Sequence, residues 1–117
     1  MAKSAAALDA IYHALSEPHR RSIVQQLAQR GAQSVSQLKA PLPITLPAVM
    51  QHVDVLTRSG LVRTRKRGGA RICELRPAGL SQAQRWIAQR RDALERRLDR
   101  LGEYLEGRRT EAEEEKP

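Results

Sequence analysis

The chain has 117 residues, of which 40% are hydrophobic, 3% are aromatic and none is Phe, so it suffices for one domain with a modest core of Leu, Ile, Val and Ala. Its single cysteine, Cys73, excludes an intrachain disulfide framework and a multi-thiolate metal site. The formal net charge is +8, and residues 110–117 (TEAEEEKP) are acidic, so the rest of the chain is strongly basic and predicts a polyanionic partner.

The sequence shows no sign of export or of a membrane partner. The N-terminal AAAL stretch is too short for the core of a signal peptide and is followed by Asp9. No run approaches the roughly 18 apolar residues of a membrane span. We therefore expect a cytoplasmic protein.

Two helices are predicted before residue 31. An apolar stripe with the spacing i, i+3, i+4, i+7 indicates the first helix and consists of Leu8, Ile11, Tyr12 and Leu15. Ser16 is predicted to cap the second helix, with Pro18 in its first turn and its end near Arg30 and Gly31. These helices should support the segment that follows.

The stretch SVSQLKAPLPITLPAVMQHVDVLTRS predicts two short helices joined by a proline-bearing turn. Ser34 precedes Gln37 by three residues, a capping-box spacing that marks the start of the first of them. Pro41 and Pro43 then stop that helix. Thr45 is a good N-cap for the second, which should run from about Leu46 to about Arg58 and end at Gly60.

The two faces of this second helix differ in polarity. At about 100° per residue, Val49, Val53 and Leu56 cluster on one side and should anchor the helix to a core. The opposite side is left free, and its members are Leu46, Pro47, Met50, Gln51, Asp54 and Arg58. Asp54 is placed to pair with Arg58 four residues later.

After Gly60 the apolar period falls to about two, which predicts two strands around a Gly68-Gly69 turn. From Arg58 to Arg76 seven basic residues accompany a single acid, Glu74; they are Arg58, Arg63, Arg65, Lys66, Arg67, Arg71 and Arg76. The predicted fold is mainly α, a winged helix-turn-helix of about five helices with a two-stranded wing.

From about Ala78 a helix of nearly thirty residues is predicted, with a leucine seam recurring every seven positions. Such a seam favours pairing with a second copy, although folding back onto the chain's own domain is the alternative. The predicted dimerisation residues are Leu8, Ile87, Leu94, Leu98, Leu101 and Leu105. We expect residues 1–109 to form a single domain and residues 110–117 to form a disordered or frayed acidic tail.

The segments YHALSEPHRRSIVQQL and TLPAVMQHVDVLTRSGLVRTRK, followed by a basic wing and a long last helix, resemble the ArsR/SmtB family of small bacterial transcriptional repressors. The resemblance covers roughly residues 5–106. It implies a homodimeric winged helix-turn-helix protein that binds a double-stranded DNA operator and releases it in response to a signal. The operator of such a dimer should be an inverted repeat.

Matching the family's recognition helix assigns the groove-facing role to Thr45, Leu46, Pro47, Met50 and Gln51. The chain departs from relatives at Leu46 and Met50, where they often carry Gln and Ser. These apolar side chains would contact thymine methyl groups or only protein, whereas Gln51 can hydrogen-bond an adenine edge.

Further DNA contacts are predicted around this set. His52 either contacts DNA or makes an internal hydrogen bond, and Arg58 is a further candidate on the helix. The wing residues predicted to bind phosphate are Arg63, Arg65, Lys66, Arg67 and Arg71.

The regulatory signal leaves no recognisable motif. Neither the cysteine pair nor the last-helix His and Asp set of metal-sensing relatives is present, and His13, His19 and His52 lack paired ligand spacing, so no metal or cofactor is expected. An unknown small-molecule effector remains open. Cys73 is either a small buried hydrophobe or a lone redox sensor.

Two other function classes fit the sequence less well. An enzyme is not expected, because no nucleophile with a base, carboxylate pair or cofactor loop is evident. The alternative to a DNA-binding regulator is a winged-helix adaptor that binds protein or RNA, because a fold does not dictate its ligand.

Overall fold

A computed structural model describes the backbone of residues 2–115 and the side chains of residues 5–115. In that range the helices are α1 (Ala2–Leu15), α2 (Pro18–Arg30), α3 (Val35–Lys39), α4 (Leu46–Arg58) and α5 (Pro77–Glu114). The strands are β1 (Gln33–Ser34), β2 (Val62–Arg67) and β3 (Ala70–Leu75). The predicted mainly helical winged fold with five helices is confirmed. The chain divides into two compact units, Met1–Ala83 and Gln84–Pro117.

The first unit is packed around an aliphatic core, as the composition predicted. Its fully buried side chains come from α1 to α4 and from the start of the wing, and they include Ile11, Ile23, Leu38, Val49, Val53, Leu56, Leu61 and Val62. Truncating one such side chain to alanine typically costs about 2 to 5 kcal/mol. This core holds α4 in place and leaves its other face exposed.

The starts of α3 and α4 agree with the sequence prediction. Ser34 and Gln37 form a capping box, with the Gln37 N–H donating to Ser34 Oγ at 3.1 Å and the Ser34 N–H donating to Gln37 Oε1 at 2.8 Å. Thr45 Oγ1 accepts from the Ala48 N–H at 3.3 Å. Local hydrogen-bonding rules therefore set where the helix-turn-helix motif begins and where its second helix begins.

The predicted cap of α2 is wrong by one residue. The N-cap is Glu17, whose carboxylate accepts from the Arg20 N–H at 2.8 Å. Ser16 instead turns back and donates its hydroxyl to the His13 carbonyl at 2.6 Å. The carboxylate of Glu17 is therefore held at the first turn of α2, close to other polar side chains.

The wing is a tight hairpin with a third strand that the sequence did not reveal. Both turn glycines have positive φ, 57° at Gly68 and 81° at Gly69, a conformation that suits a two-residue hairpin turn. The sheet order is β1-β3-β2, and all pairing is antiparallel. Because β1 runs directly into α3, the wing is hydrogen-bonded to the start of the helix-turn-helix motif.

Helix α5 is longer than the sequence predicted. It runs from Pro77 to Glu114, so residues 110–114 are helical where a disordered or frayed tail was expected. Lys116 and Pro117 lie outside the described residues. That residues 1–109 behave as one domain remains a prediction.

Candidate nucleic-acid interface

Helix α4 has one anchored face and one free face, as the sequence predicted. Val49, Val53 and Leu56 are 0% exposed, whereas Leu46 and Met50 are 39% and 41% exposed. The remaining predicted contact residues of this face are also exposed, namely Thr45, Pro47, Gln51 and Arg58. The burial of one side fixes the helix, so the other side is a pre-formed surface in the first unit.

His52 lies at the edge of the buried face and makes the internal contact that was one of its two predicted roles. Its Nδ1 is 3.3 Å from Nη1 of Arg20. Arg20 is almost fully buried and also donates from Nε to the Ala14 carbonyl at 2.7 Å and from Nη2 to the His13 carbonyl at 3.1 Å. Because a guanidinium only donates, His52 Nδ1 accepts, and α4 is tied to the α1–α2 turn.

The Glu17 carboxylate lies close to two histidines, His19 and His52, that are 33 positions apart in the sequence. His19 Nδ1 lies 2.8 Å from Glu17 Oε1, and His52 Nδ1 lies 3.7 Å from Glu17 Oε2. Partial burial by itself raises the pKa of Glu17, but the backbone N–H groups of Arg20 and His19 and the His19 side chain lower that pKa below its ordinary value.

The sequence spacing of the histidines did not suggest a shared site, but the fold brings two of them close to one carboxylate. One donor atom each from Glu17, His19 and His52 lies within 4.8 Å of the other two. His13 is not a member of this group and is exposed. A carboxylate and two imidazoles are a ligand set that divalent transition-metal ions accept.

The wing's cations fall into two groups. Arg63 forms an ion pair with Glu74, its cross-strand partner. Arg71 donates from Nη2 to Asp54 Oδ1 of α4 at 2.8 Å, so the predicted pairing of Asp54 with Arg58 is wrong. Those two arginines are partly neutralised by carboxylates, and Arg71 links the wing to the free face of α4.

The remaining predicted wing residues surround the hairpin turn. Arg65, Lys66 and Arg67 are exposed and form no ion pair among the side chains of residues 5–115. Exposed cations near a turn can each neutralise a phosphate and release a counterion. The wing therefore offers concentrated positive charge on the same unit as the free face of α4.

Cys73 lies in β3, opposite Gln33 of β1 and Thr64 of β2, and is 0% exposed. Burial raises the pKa of its thiol, and the nearby Arg71 offsets only part of that rise. A protonated, enclosed thiol reacts slowly with oxidants, which favours the structural alternative over a redox sensor.

The first unit contains a shallow depression next to α1 and the start of α5. It has a volume of about 170 Å³ and is lined by Ile11, Ser59, Gly60, Arg76, Ala78, Gly79 and Gln82. Pockets for drug-sized ligands are usually larger, at about 300 to 1,000 Å³. This depression is therefore smaller than the usual site for such a ligand.

In the second unit the predicted dimerisation side chains form a long exposed stripe on α5. Ile87, Leu94, Leu98, Leu101 and Leu105 are each more than half exposed, between 52% and 58%. Leu8, on α1 of the first unit, is half-buried. Contiguous apolar surface of this kind marks a site of interaction in soluble proteins.

An anchored helix with a free outer face, followed by a cationic hairpin, defines the class: a winged helix-turn-helix DNA-binding protein. Comparison with known proteins narrows this class to one family. Residues 15–65 match the family described as "Helix-turn-helix domain". The chain is 41% identical over 73 residues to the HTH-type transcriptional regulator Rv2034 of Mycobacterium tuberculosis, covering 62% of this chain and 67% of that protein.

Solved structures agree with the sequence match. The ArsR family transcriptional regulator RHA00566 is 34% identical, with a TM-score of 0.71 over 76% of this chain and 91% of that one. The transcriptional repressor BigR from Xylella fastidiosa is 32% identical, with a TM-score of 0.58 over 75% and 87%. The chain therefore belongs to the ArsR family of helix-turn-helix transcriptional regulators.

One further likeness concerns the fold alone. The homodimeric winged helix-turn-helix DNA-binding domain of Mb0332 from Mycobacterium bovis is 20% identical, with a TM-score of 0.61 over 85% of this chain and 88% of that one. Among residues 2–115, no helix is both long and apolar enough to cross a membrane.

Proposed function

We propose that this regulator binds an inverted-repeat operator as a homodimer in the cytoplasm and represses the adjacent genes. The observation that carries the proposal is the joint presentation, on one compact unit, of a free α4 face and three cations at the wing turn that form no ion pair with any described side chain. A duplex offers these two surfaces a major groove and a neighbouring phosphate backbone.

The proposal divides recognition between the two surfaces. Gln51 is exposed on α4 and can donate to and accept from one adenine edge, while Leu46 and Met50 suit thymine methyl groups. Arg65, Lys66 and Arg67 bind phosphates whatever the base sequence. Specificity therefore depends on α4, and affinity depends largely on the wing.

Dimerisation is proposed through the leucine stripe of α5. Its five side chains repeat with the spacings of three, four and seven residues that pair helices, and each is more than half exposed. The homodimeric domain of Mb0332 gives a precedent in this fold. A symmetric dimer with two reading helices favours half-sites about one helical turn apart.

Repression is the proposed outcome of binding. The BigR protein of Xylella fastidiosa, which has a similar sequence and fold, is named a transcriptional repressor. A dimer that occupies two adjacent major grooves would exclude other proteins from the same stretch of promoter. The proposal requires no cofactor, and it makes no assumption about an effector.

The test is selection of duplexes from a random pool by the untagged chain, followed by a salt titration of the selected duplex, a random duplex and single-stranded RNA. We expect an enriched inverted repeat with half-site centres about 10 base pairs apart, bound in preference to random duplex. If no repeat is enriched, or single-stranded RNA binds as tightly as the selected duplex at each salt concentration, the proposal is wrong and the adaptor alternative is favoured.

A further inference from the structure

We propose that Glu17, His19 and His52 form a binding site for one divalent transition-metal ion, with Zn²⁺ as the typical occupant. The site joins the first turn of α2 to the middle of α4. Its donors are none of the groove-facing or wing residues to which the proposed function assigns DNA contacts, so a failure of metal binding and a failure of DNA binding can be told apart.

The distances between donor atoms suit such an ion. Zn²⁺ with ligand bonds near 2.1 Å holds neighbouring tetrahedral donors roughly 3.3 Å apart. The Glu17 carboxylate oxygens lie 2.8 Å from His19 Nδ1 and 3.7 Å from His52 Nδ1, on either side of that value. All three donors lie within 4.8 Å of one another, so small side-chain rotations bring them to the spacing of a metal site.

The chemistry and the accessibility of the donors also fit. Two imidazoles and one carboxylate are a common ligand set for zinc, and three protein ligands leave a position for water. The side chains of His19, Glu17 and His52 are 34%, 26% and 20% exposed, so an ion can enter from solvent. The Glu17 carboxylate is ionised at neutral pH, as an ordinary glutamate is.

The present hydrogen bonds show how the donors would change partners. His19 Nδ1 now faces a carboxylate oxygen, which only accepts, so the ion would replace the proton between them and that proton would leave to solvent. At His52 Nδ1, the ion would take the lone pair that now accepts from Arg20 Nη1. Arg20 Nη1 would lose this partner and would have to turn aside to make room for the ion, while Nε and Nη2 keep their bonds to the Ala14 and His13 carbonyls.

The test is a titration of the untagged full chain with Co²⁺ in a weakly coordinating buffer, followed by visible absorption, and of the same chain with Zn²⁺ followed by thermal unfolding. We expect one ion per chain and a higher unfolding temperature with Zn²⁺. Glu17→Gln, His19→Gln and His52→Gln should each weaken metal binding at least about tenfold, because loss of a ligand costs at least as much as loss of its supporting partner.

His13→Gln is the matched control, because it removes an exposed histidine outside the cluster and should leave metal affinity unchanged. Glu17→Gln keeps a carbonyl oxygen for the α2 cap, so it separates the ligand role from the capping role. If His52→Gln fails to fold, Glu17→Gln and His19→Gln decide the question. The proposal is overturned if the parent chain binds no ion, or if binding survives in Glu17→Gln and His19→Gln, or if His13→Gln loses as much affinity as they do.

Discussion

Helix α4 and the distal part of α5, residues 84–114, both expose leucine side chains, but in different settings. In α4 the exposed Leu46 and Met50 lie opposite a face that is completely buried. In residues 84–114 no side chain is buried. The first helix already has its packing partner, and its outer apolar atoms are not needed for that packing, whereas the second still presents its main apolar surface.

This difference in packing predicts different roles for the exposed leucines of the two helices. A helix anchored by Val49, Val53 and Leu56 does not need Leu46 or Met50 for its packing, so those positions are free to encode a DNA sequence. A leucine stripe without cover has a large free energy to gain from a partner helix. Substitutions in α4 should therefore change which DNA is bound, and substitutions in α5 should change whether a dimer exists.

The largest expected effect is at the centre of the α5 stripe. Leu98→Glu should weaken dimerisation by about 2 to 6 kcal/mol, because each dimer would bury two unpaired polar groups at about 1 to 3 kcal/mol each. Sedimentation velocity across a concentration series measures the change. Gln89→Glu adds the same charge at an exposed position on the opposite side of α5 and should leave the dimer intact. A Leu98→Glu variant that remains dimeric at micromolar concentration would show that α5 does not pair through this stripe.

The next largest effect tests whether α4 reads the base sequence. Gln51→Ala should weaken binding to the selected operator by about 1 to 3 kcal/mol per half-site and leave binding to random duplex nearly unchanged, because the substitution removes only hydrogen bonds to a base. Fluorescence anisotropy with both duplexes measures the two affinities. Equal losses of affinity on the two duplexes would contradict a base-reading role for Gln51.

A smaller effect is expected at the wing, and there it should not depend on DNA sequence. Arg65→Ala should weaken binding to selected and random duplexes alike and reduce the slope of log affinity against log salt by about one for each phosphate that Arg65 neutralises. Arg63→Ala is the matched comparison, because Arg63 already forms an ion pair with Glu74 and should change the slope less. If Arg63→Ala changed the slope as much as Arg65→Ala, ion pairing would not distinguish the two groups of wing cations.

The smallest effect tests how α4 is held to the α1–α2 turn. The folded-state pKa of Glu17 is lowered, so its ionised form stabilises the fold at pH values above the ordinary glutamate pKa of about 4.3, and this contribution is lost as the pH falls through the lower folded value. Glu17→Gln should therefore be less stable than the parent chain at neutral pH, and the gap should narrow below about pH 4.3. Denaturant unfolding at a series of pH values measures it, and a gap that is constant down to strongly acidic pH would contradict the assigned ion contacts.

The sequence predicted the elements that depend on near neighbours. Ser34 and Thr45 each cap a helix through a residue three positions later, and Gly68-Gly69 allows a hairpin whatever surrounds it. Periodicity alone separated the buried from the free face of α4. These features need only local geometry, so one sequence sufficed.

The features that the sequence did not predict depend on contacts between distant segments or on competition between adjacent residues for one position. Asp54 pairs with Arg71 and His52 meets His19 because the fold brings their helices and strand together, which no spacing rule reveals. Ser16 and Glu17 are adjacent candidates for one cap, and the carboxylate that also meets His19 occupies the position. The strand β1 has two residues, too few to show an alternating pattern.

The Asp54–Arg71 bond has a consequence for anyone who re-engineers the specificity of this regulator. An α4 helix taken from a relative with a different residue at position 54 would lack the carboxylate that now pairs with the Arg71 guanidinium, whose side chain is 29% exposed. Chimeras should therefore exchange positions 54 and 71 together, as a matched set, even though the two residues lie in separate elements of the chain.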